Sequence, residues 1–408
     1  MNRVVIVGGG IGGVATAAAL RSGGYAGEVV LVDRGEFPYD RPPLSKEYLA
    51  GARDLKEIAL QEPGWYADNR IELVPSSAVV GLSPAHDAVT VTLDDGRVIA
   101  ADRAVLATGG RAALPPIAGL EDARGAGRAH VLREHTDADA LRAALVPGAR
   151  LLVVGGGLIG AEAASTAVRL GCAVVLVDPL DPPLLAAAGS IVATWLHAQH
   201  TALGIETITG TLSSLQVSAD AVAAQLAHEA DPRAFDAVLI GVGMVPDTAL
   251  AETAGLEVDR GVLVDDLRVT SHPRVLAVGD ASRCRDNQRT EHWEAAQHDG
   301  QRAAATILGT PAPVATAPWW WSDRHGRHVE GVGEMREPDA ITTVVTRGVP
   351  GDAPFSVFTV QHGRVIGAVG IDATNDVRAA RRMIDRGIEV DAERLADTEF
   401  DLRKLLRG

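Results

Sequence analysis

A glycine-rich loop near the start of the chain has the residue types and spacing that bind a pyrophosphate. Gly8, Gly10 and Gly13 follow a β-branched run at 4–7, and Asp33 ends the next apolar run, 20 residues after Gly13. In such a loop the first glycine permits a tight turn, the second admits the phosphates, and the third lets the helix pack on the strand. The phosphates meet the helix N-terminus, and the acid accepts from a ribose hydroxyl. This pattern predicts a dinucleotide site.

A second loop repeats the pattern. Gly155, Gly157 and Gly160 follow an apolar run, and Asp178 ends the next one, 18 residues after Gly160. Two such loops in one chain favour a flavin in one and a nicotinamide in the other, because a flavin accepts a hydride and releases single electrons. Residues 179–181 add Asp181 and no Arg or Lys, so a 2′-phosphate would meet negative charge. We therefore expect NADH rather than NADPH.

The elements that must carry these loops are readable as an α/β pattern. Each loop stands between a short buried strand and an Ala-rich helix, followed by a second strand, which is a βαβ unit that occurs twice. After residue 310 the composition changes, with a proline-rich linker and then three tryptophans. Residues 341–371 alternate between apolar and polar and indicate antiparallel strands, and the charged tail at 377–406 indicates helix. We expect a smaller α+β domain there.

Composition excludes several classes of protein. The chain has 408 residues and a net charge of −15, which disfavours nucleic-acid binding. Two cysteines rule out a disulfide framework and a four-cysteine metal or iron–sulfur site. No apolar run approaches the 18 residues of a membrane span, and the N-terminus has no signal-peptide pattern. We expect a cytoplasmic protein without a membrane segment, and no metal-binding or nucleophile-elbow motif is present.

Five further motifs occur along the chain: Tyr39-Asp40-Arg41-Pro42-Pro43-Leu44-Ser45-Lys46, Val105-Leu106-Ala107-Thr108-Gly109, the run 275–280, Glu291-His292-Trp293 and Pro318-Trp319-Trp320-Trp321-Ser322-Asp323. Together they resemble the putidaredoxin reductase-like family of FAD-dependent ferredoxin reductases from oxygenase systems. The resemblance extends from residue 1 to about 385 and is weak at 213–235 and in the tail.

The resemblance implies a glutathione reductase-like fold with an NAD domain inserted in an FAD domain. The FAD-binding domain would comprise residues 1–110 and 241–310, the NAD-binding domain 111–240, and a C-terminal α+β interface domain 311–408. Disulfide reductases of this fold have a redox-active cysteine pair beside the flavin, and residues 39–46 contain none. We expect Cys172 to be buried packing and Cys284 to be a loop thiol, so that electrons leave through the flavin edge.

Lys46, Glu162 and Trp321 are the predicted catalytic residues. The resemblance implies that Lys46 pairs with Glu162 beside flavin N5, where a cation would stabilise the anionic reduced ring. The alternative is a surface lysine and a glutamate that merely favours a helix N-terminus. Trp321 would lie near the flavin on the route to the ferredoxin, with Trp319 and Trp320 in a domain-interface core.

The predicted cofactor-binding residues come from the two glycine loops and from the motifs of the resemblance. From the loops and the resemblance together, the predicted set is Gly8, Gly10, Gly12, Gly13, Asp33, Arg41, Pro43, Lys46, Val79, Thr108, Gly109, Arg133, Gly155, Gly157, Gly160, Glu162, Asp178, Gly243, Gly279, Asp280, Glu291, His292 and Trp293. By resemblance, Asp280 would contact the ribityl chain, and Arg41 and Arg133 would hold the FAD phosphates or the adenine side. Either arginine could instead be an ordinary surface residue.

The leading hypothesis is an NADH-dependent FAD enzyme that reduces a [2Fe–2S] ferredoxin, which supplies a cytochrome P450 or a ring-hydroxylating dioxygenase. Arg324, His325, Arg327 and His328 would form a basic rim that steers the acidic ferredoxin, or else an ordinary solvated loop. One alternative is an NADH oxidase or a quinone or small-molecule reductase. Another is a redox-switched interaction protein resembling apoptosis-inducing factor. A monomer or a homodimer is expected.

Overall fold

The computed structural model describes residues 2–227, 229–285 and 289–407. The helices are α1 Ile11–Ser22, α2 Trp65–Asp68, α3 Leu120–Gly125, α4 His135–Ala144, α5 Leu158–Arg169, α6 Leu185–Ala202, α7 Ala249–Thr253, α8 Trp293–Leu308, α9 Thr374–Arg386 and α10 Ala392–Ala396. The strands are β1 Arg3–Val7, β2 Glu28–Val32, β3 Ile71–Val74, β4 Val79–Pro84, β5 Val89–Leu93, β6 Val98–Ala101, β7 Arg103–Leu106, β8 Gly110–Ala112, β9 Ala129–His130, β10 Arg150–Val154, β11 Ala173–Asp178, β12 Glu206–Thr209, β13 Leu212–Val217, β14 Val222–Leu226, β15 Arg233–Phe235, β16 Ala237–Ile240, β17 Met244–Pro246, β18 Val262–Val264, β19 Val275–Ala277, β20 Ser282–Cys284, β21 Trp319–Arg324, β22 Arg327–Gly333, β23 Thr342–Val349, β24 Asp352–Gln361 and β25 Arg364–Ile371.

The first of two compact units comprises Met1–Arg41, Asp54–Arg111 and Met244–Ala315. Its parallel sheet has the order β19-β7-β1-β2-β3. Successive side chains of a strand point to opposite faces. Accordingly, Val4 and Ile6 pack with α1 and α8, whereas Val5 and Val7 pack with the antiparallel strands β4, β5 and β6. Burial on both faces explains the continuous apolar runs of the sequence.

The second unit comprises Pro42–Arg53, Ala112–Gly243 and Thr316–Gly408. Its parallel sheet has the order β12-β11-β10-β16-β9, with the three-stranded sheet β13-β14-β15 packed on one face. An antiparallel sheet, β21-β22-β25-β24-β23, packs α6 against one face and α9 and α10 against the other.

This architecture confirms the predicted fold class: two βαβ nucleotide-binding folds and a C-terminal α+β portion. The division into three domains stays a prediction, since the inserted and C-terminal portions lie together in the second unit. Within the described residues, no helix combines the length and apolar character needed to cross a membrane.

Candidate functional site

The first glycine loop turns between β1 and α1. Gly8 has a φ of +109°, and a Cβ there would overlap a backbone carbonyl just after β7, while a Cβ at Gly13 would overlap the Gly8 carbonyl. A Cβ at Gly10 would meet only Arg41 Nη1, at 3.1 Å. Internal packing therefore explains the first and third glycines. The second keeps the loop backbone open to a ligand, as a pyrophosphate cradle requires.

The helix that follows this loop begins with unsatisfied donors. Among the described residues no side chain caps α1, and its first turn contains no acid, which leaves backbone N–H groups for an anion. Asp33 accepts from the backbone N–H of Gly9 and, at 2.7 Å, from that of Gly35. The carboxylate thereby fixes the loop, and its remaining lone pairs suit a ribose hydroxyl.

The second glycine loop has the same construction. Gly155 has a φ of +103°, a Cβ at Gly160 would overlap the Gly155 carbonyl, and a Cβ at Gly157 would have no described heavy atom within 4 Å. Asp178 accepts from the backbone N–H groups of residues 156 and 180 at 2.7 and 2.8 Å. In the described chain α5 likewise lacks a side-chain cap and an acid in its first turn. Both loops therefore fit a dinucleotide.

A second turn in the first unit presents Asp280. Gly279, with a φ of +64°, donates its N–H to Asp299 on α8 at 3.2 Å. Asp299 also pairs with Arg268 at 2.7 Å. Burial raises the pKa of Asp299, and the neighbouring arginine opposes that effect. Asp299 therefore holds the turn that carries Asp280, a function that no sequence motif indicated.

The 39–46 motif is anchored in each unit by its polar residues. In the first unit Trp293 donates its indole N–H to Asp40 at 2.7 Å, and the Arg41 guanidinium lies 5.5 Å from the centre of the Tyr39 ring. In the second unit the Pro43 carbonyl accepts the N–H of Lys46 at 3.0 Å, and the Thr166 hydroxyl on α5 donates to the Ser45 carbonyl at 2.9 Å. The motif is therefore held by hydrogen bonds on both sides.

The remaining predicted cofactor residues have these positions. Gly12 lies in α1 against α8, and Val79 begins β4 and packs on the core. The Thr108 hydroxyl donates to the Asp247 carbonyl at 2.7 Å, and Gly109 and Gly243 have φ angles of +66° and +110°. Arg133 precedes α4 and donates its backbone N–H to Asp137 at 3.0 Å, Glu291 accepts from Arg289, and His292 precedes α8. Burial lowers the pKa of His292. Their roles toward FAD and NADH stay predictions.

Lys46 and Glu162 meet in the second unit and are buried, at 7% and 6% exposure. Lys46 Nζ lies 3.7 Å from Glu162 Oε1 and 3.0 Å from Asp323 Oδ2. Glu162 also accepts from the hydroxyls of Ser45 and Ser322, the latter at 2.8 Å. Burial raises the pKa of Glu162, whereas Lys46 and the two hydroxyls lower it. The surface-lysine interpretation is therefore wrong.

Asp323, which sequence reasoning placed only within a motif, is the nearer partner of Lys46. Its other oxygen lies 2.6 Å from His328 Nδ1, and His328 Nε2 lies 3.0 Å from Glu330 Oε1. His328 and, to a smaller extent, Lys46 lower the pKa of Asp323 to about 2, and the two carboxylates raise the pKa of His328 to about 9. The lysine thus belongs to a network of charges. Neither the sequence of β21 nor that of β22 alternates in polarity, so no sequence pattern indicated this network.

The tryptophans separate by face of β21. Trp320 is buried in the core between the C-terminal sheet and α6. Trp321 stacks on Trp319 with ring centres 4.9 Å apart, and Lys46 Nζ lies 5.7 Å from the centre of the Trp321 ring. Trp319 thus supports Trp321, in addition to packing against the core beside α9.

The prediction of a basic rim at 324–328 is wrong for Arg324, because this residue is buried. Arg324 is 3% exposed, and burial lowers its pKa to about 10. His325 is half-buried against His200, with ring nitrogens 2.9 Å apart, and burial lowers its pKa to about 4. Arg327 pairs with Asp372 at 2.9 Å. The even positions of β21 point inward, which places Arg324 inside.

Both cysteines are buried and unlinked. Cys172 lies 3.5 Å from the Val146 carbonyl, and burial raises the pKa of its thiol, so the prediction of buried packing is confirmed. Cys284 is not a loop thiol as expected: it belongs to β20 and lies 3.4 Å from Asp266 Oδ1. Neither belongs to a redox pair.

Comparison with known proteins gives matches over the whole chain. Residues 2–300 match the family described as pyridine nucleotide-disulphide oxidoreductase, and residues 319–406 match the reductase C-terminal family. The chain is 35% identical to the ferredoxin reductase component of chlorobenzene dioxygenase from Cupriavidus sp. (strain PS12), covering 100% of this chain and 98% of the relative. It is 33% identical to putidaredoxin reductase from Pseudomonas putida, covering 99% and 97%.

Solved structures that superpose on the chain are also ferredoxin reductases. The putidaredoxin reductase of a covalent complex with putidaredoxin superposes with a TM-score of 0.91 at 30% identity, covering 100% of this chain and 98% of the other. The ferredoxin reductase for the CYP199A2 system from Rhodopseudomonas palustris gives a TM-score of 0.90 at 28% identity, with 99% of each chain covered. The chain therefore belongs to the pyridine nucleotide-disulphide oxidoreductase family, among the ferredoxin reductase components of oxygenase systems.

Proposed function

We propose that this protein is an NADH-dependent FAD enzyme that reduces a [2Fe–2S] ferredoxin, which in turn supplies a cytochrome P450 or a ring-hydroxylating dioxygenase. The observation that carries the proposal is the pair of equivalent loops, each with an open second glycine and a helix N-terminus that no side chain caps in the described part of the chain. When both nucleotides are bound, the flavin accepts a hydride from the nicotinamide and passes electrons on singly.

The chain's own residues divide this work. The first loop, Asp33 and Asp280 would hold FAD, and the second loop would hold NADH, with Asp178 and the nearby Asp181 disfavouring a 2′-phosphate. The buried Lys46 would supply positive charge to the flavin ring, with Glu162 and Asp323 setting its position. The role of Trp321 would be to exclude water and cover the ring beside Lys46.

An acidic ferredoxin suits the charges of the C-terminal portion. Although the 324–328 segment is not a basic rim, α9 carries exposed arginines at positions 378, 382 and 386, four residues apart on one helix face. In a chain of net charge −15, this face is a local concentration of positive charge that favours encounter with an acidic protein.

The identity of the electron acceptor distinguishes the proposed ferredoxin reductase from an oxidase or quinone reductase of the same fold. The purified protein should be yellow, contain one non-covalent FAD and be bleached anaerobically by NADH. NADH oxidation should be slow with oxygen or a quinone and fast with a ferredoxin. A colourless protein that takes up no added FAD would overturn the cofactor assignment, and equal rates with and without ferredoxin would favour the small-molecule acceptor.

A further inference from the structure

Five side chains in the second unit form a row in which negative and positive groups alternate. In order they are Glu330, His328, Asp323, Lys46 and Glu162, and the successive contacts measure 3.0, 2.6, 3.0 and 3.7 Å. The carboxylates at the two ends are buried, whereas His328 and Asp323 are partly exposed. The row therefore connects the protein surface with the buried lysine.

The central element of this row is an imidazole with a carboxylate oxygen at each ring nitrogen. Both contacts can be hydrogen bonds only when both nitrogens carry a proton, which makes His328 an imidazolium. These two contacts raise the pKa of His328 to about 9. The other charged groups beside it are Lys46, 3.0 Å beyond Asp323, and the Arg327–Asp372 pair, in which Asp372 also accepts the His328 backbone N–H.

When the His328 imidazolium loses one proton, the lone pair of one ring nitrogen faces a carboxylate, either that of Asp323 or that of Glu330. Glu330 is buried, and its second oxygen has no hydrogen-bond partner among the described residues, so losing the His328 N–H would leave that carboxylate buried and unpaired, which is costly. Asp323 is better placed to lose this contact, because its side chain is 43% exposed and water can solvate its carboxylate. The remaining proton therefore stays on the Glu330 side, and the Asp323 contact opens.

We propose that His328 is a positioning residue for Lys46: its imidazolium fixes the Asp323 carboxylate against the ammonium group, and deprotonation frees Asp323 and shifts Lys46 toward Glu162. The inference deepens the proposed function and rests on it for the role of Lys46 near the flavin. The contacts among His328, Asp323 and Lys46 can be tested without that role.

The test uses the chain's small number of lysines, which are Lys46, Lys56 and Lys404. The purified, oxidised protein is labelled with [13Cε]lysine, and each signal is assigned from a Lys→Arg variant. In the wild type, the Lys46 signal should show a step with a midpoint near 9 that coincides with the His328 ring titration. This measurement needs no His328 variant.

Variants of His328 and Glu330 then test whether His328 causes the step in the Lys46 signal. His328→Gln should remove the step, whereas Glu330→Gln should lower its midpoint because one of the two carboxylates that hold the imidazolium loses its charge. His362→Gln, at an exposed position in the turn between β24 and β25, is the matched control and should leave the step unchanged. A Lys46 signal that lacks the step in the wild type, or keeps it in His328→Gln, would overturn the inference.

Flavin reduction by NADH gives a second readout. Its rate in the wild type should show the same step near pH 9, and His328→Gln should lose that step. A protein that binds no flavin refutes the proposed function, yet the lysine signals still decide the inference. Normal flavin reduction with a Lys46 signal indifferent to His328 refutes the inference alone.

Discussion

Replacing Lys46 with methionine should destabilise the protein, because the carboxylates of Glu162 and Asp323 lose their positively charged partner. The change removes the ammonium group 3.7 Å from Glu162 and 3.0 Å from Asp323 and leaves a side chain of similar length. Removing one partner of a buried ion pair costs about 3–5 kcal/mol. Asp323 keeps His328 and is half-exposed, so we expect the lower end, about 3 kcal/mol of unfolding free energy at pH 8.

The loss should depend on pH in a defined direction. The folded-state pKa of Glu162 is already raised by burial, and Lys46 opposes that rise. Without Lys46 the pKa rises further, so the folded variant binds a proton that the unfolded chain has released, and its stability falls as pH rises through that window. The difference from the wild type should therefore be largest at alkaline pH and shrink as Glu162 is protonated in acid.

Urea denaturation at several pH values measures this effect. Lys56→Met is the matched control, because Lys56 is exposed, and it should shift the midpoint little. Adding Glu162→Gln to Lys46→Met should recover part of the stability, since a neutral amide can still accept from Ser45 and Ser322. A Lys46 variant as stable as the Lys56 variant at every pH would refute the buried-pair reasoning.

Three further predictions concern nucleotides and electron exit. NADH should reduce the flavin much faster than NADPH, and Asp178→Ala with Pro179→Arg should narrow the preference; equal wild-type rates in stopped-flow reduction would contradict this. Gly157→Ala should weaken NADH binding without lowering the thermal midpoint, because its Cβ enters space with no described heavy atom within 4 Å; unchanged affinity by titration would contradict the cradle. Trp321→Ala should slow ferredoxin reduction more than flavin reduction, and equal losses would indicate a structural role or a nicotinamide contact.

The parts of the fold that depend on local patterns were predictable. Both βαβ units have a strand, a glycine loop and a helix close to the predicted bounds, because buried parallel strands and tight turns constrain residue types strongly. The alternation at 341–371 likewise predicted β23, β24 and β25.

Contacts distant in sequence were harder to predict. The pairing of Lys46 with Glu162 followed only from resemblance, and the nearer contact with Asp323 depends on how β21 packs against the 42–53 segment. Arg324 was expected at the surface, since a charged residue in a run of Arg and His is usually solvated. The strand alternation that buries Ser322 also buries Arg324, and its register is set by pairing with β22.

In the proposed function, electrons from NADH pass through FAD to a ferredoxin without a disulfide intermediate. A direct test is an anaerobic single turnover of the Cys172→Ala, Cys284→Ala double variant, in which one equivalent of NADH is added first and two equivalents of oxidised [2Fe–2S] ferredoxin follow. We expect complete flavin bleaching, followed by return of the flavin absorbance as both ferredoxin equivalents are reduced. Bleaching that ferredoxin does not reverse, in a variant that still binds FAD, would contradict the proposed function.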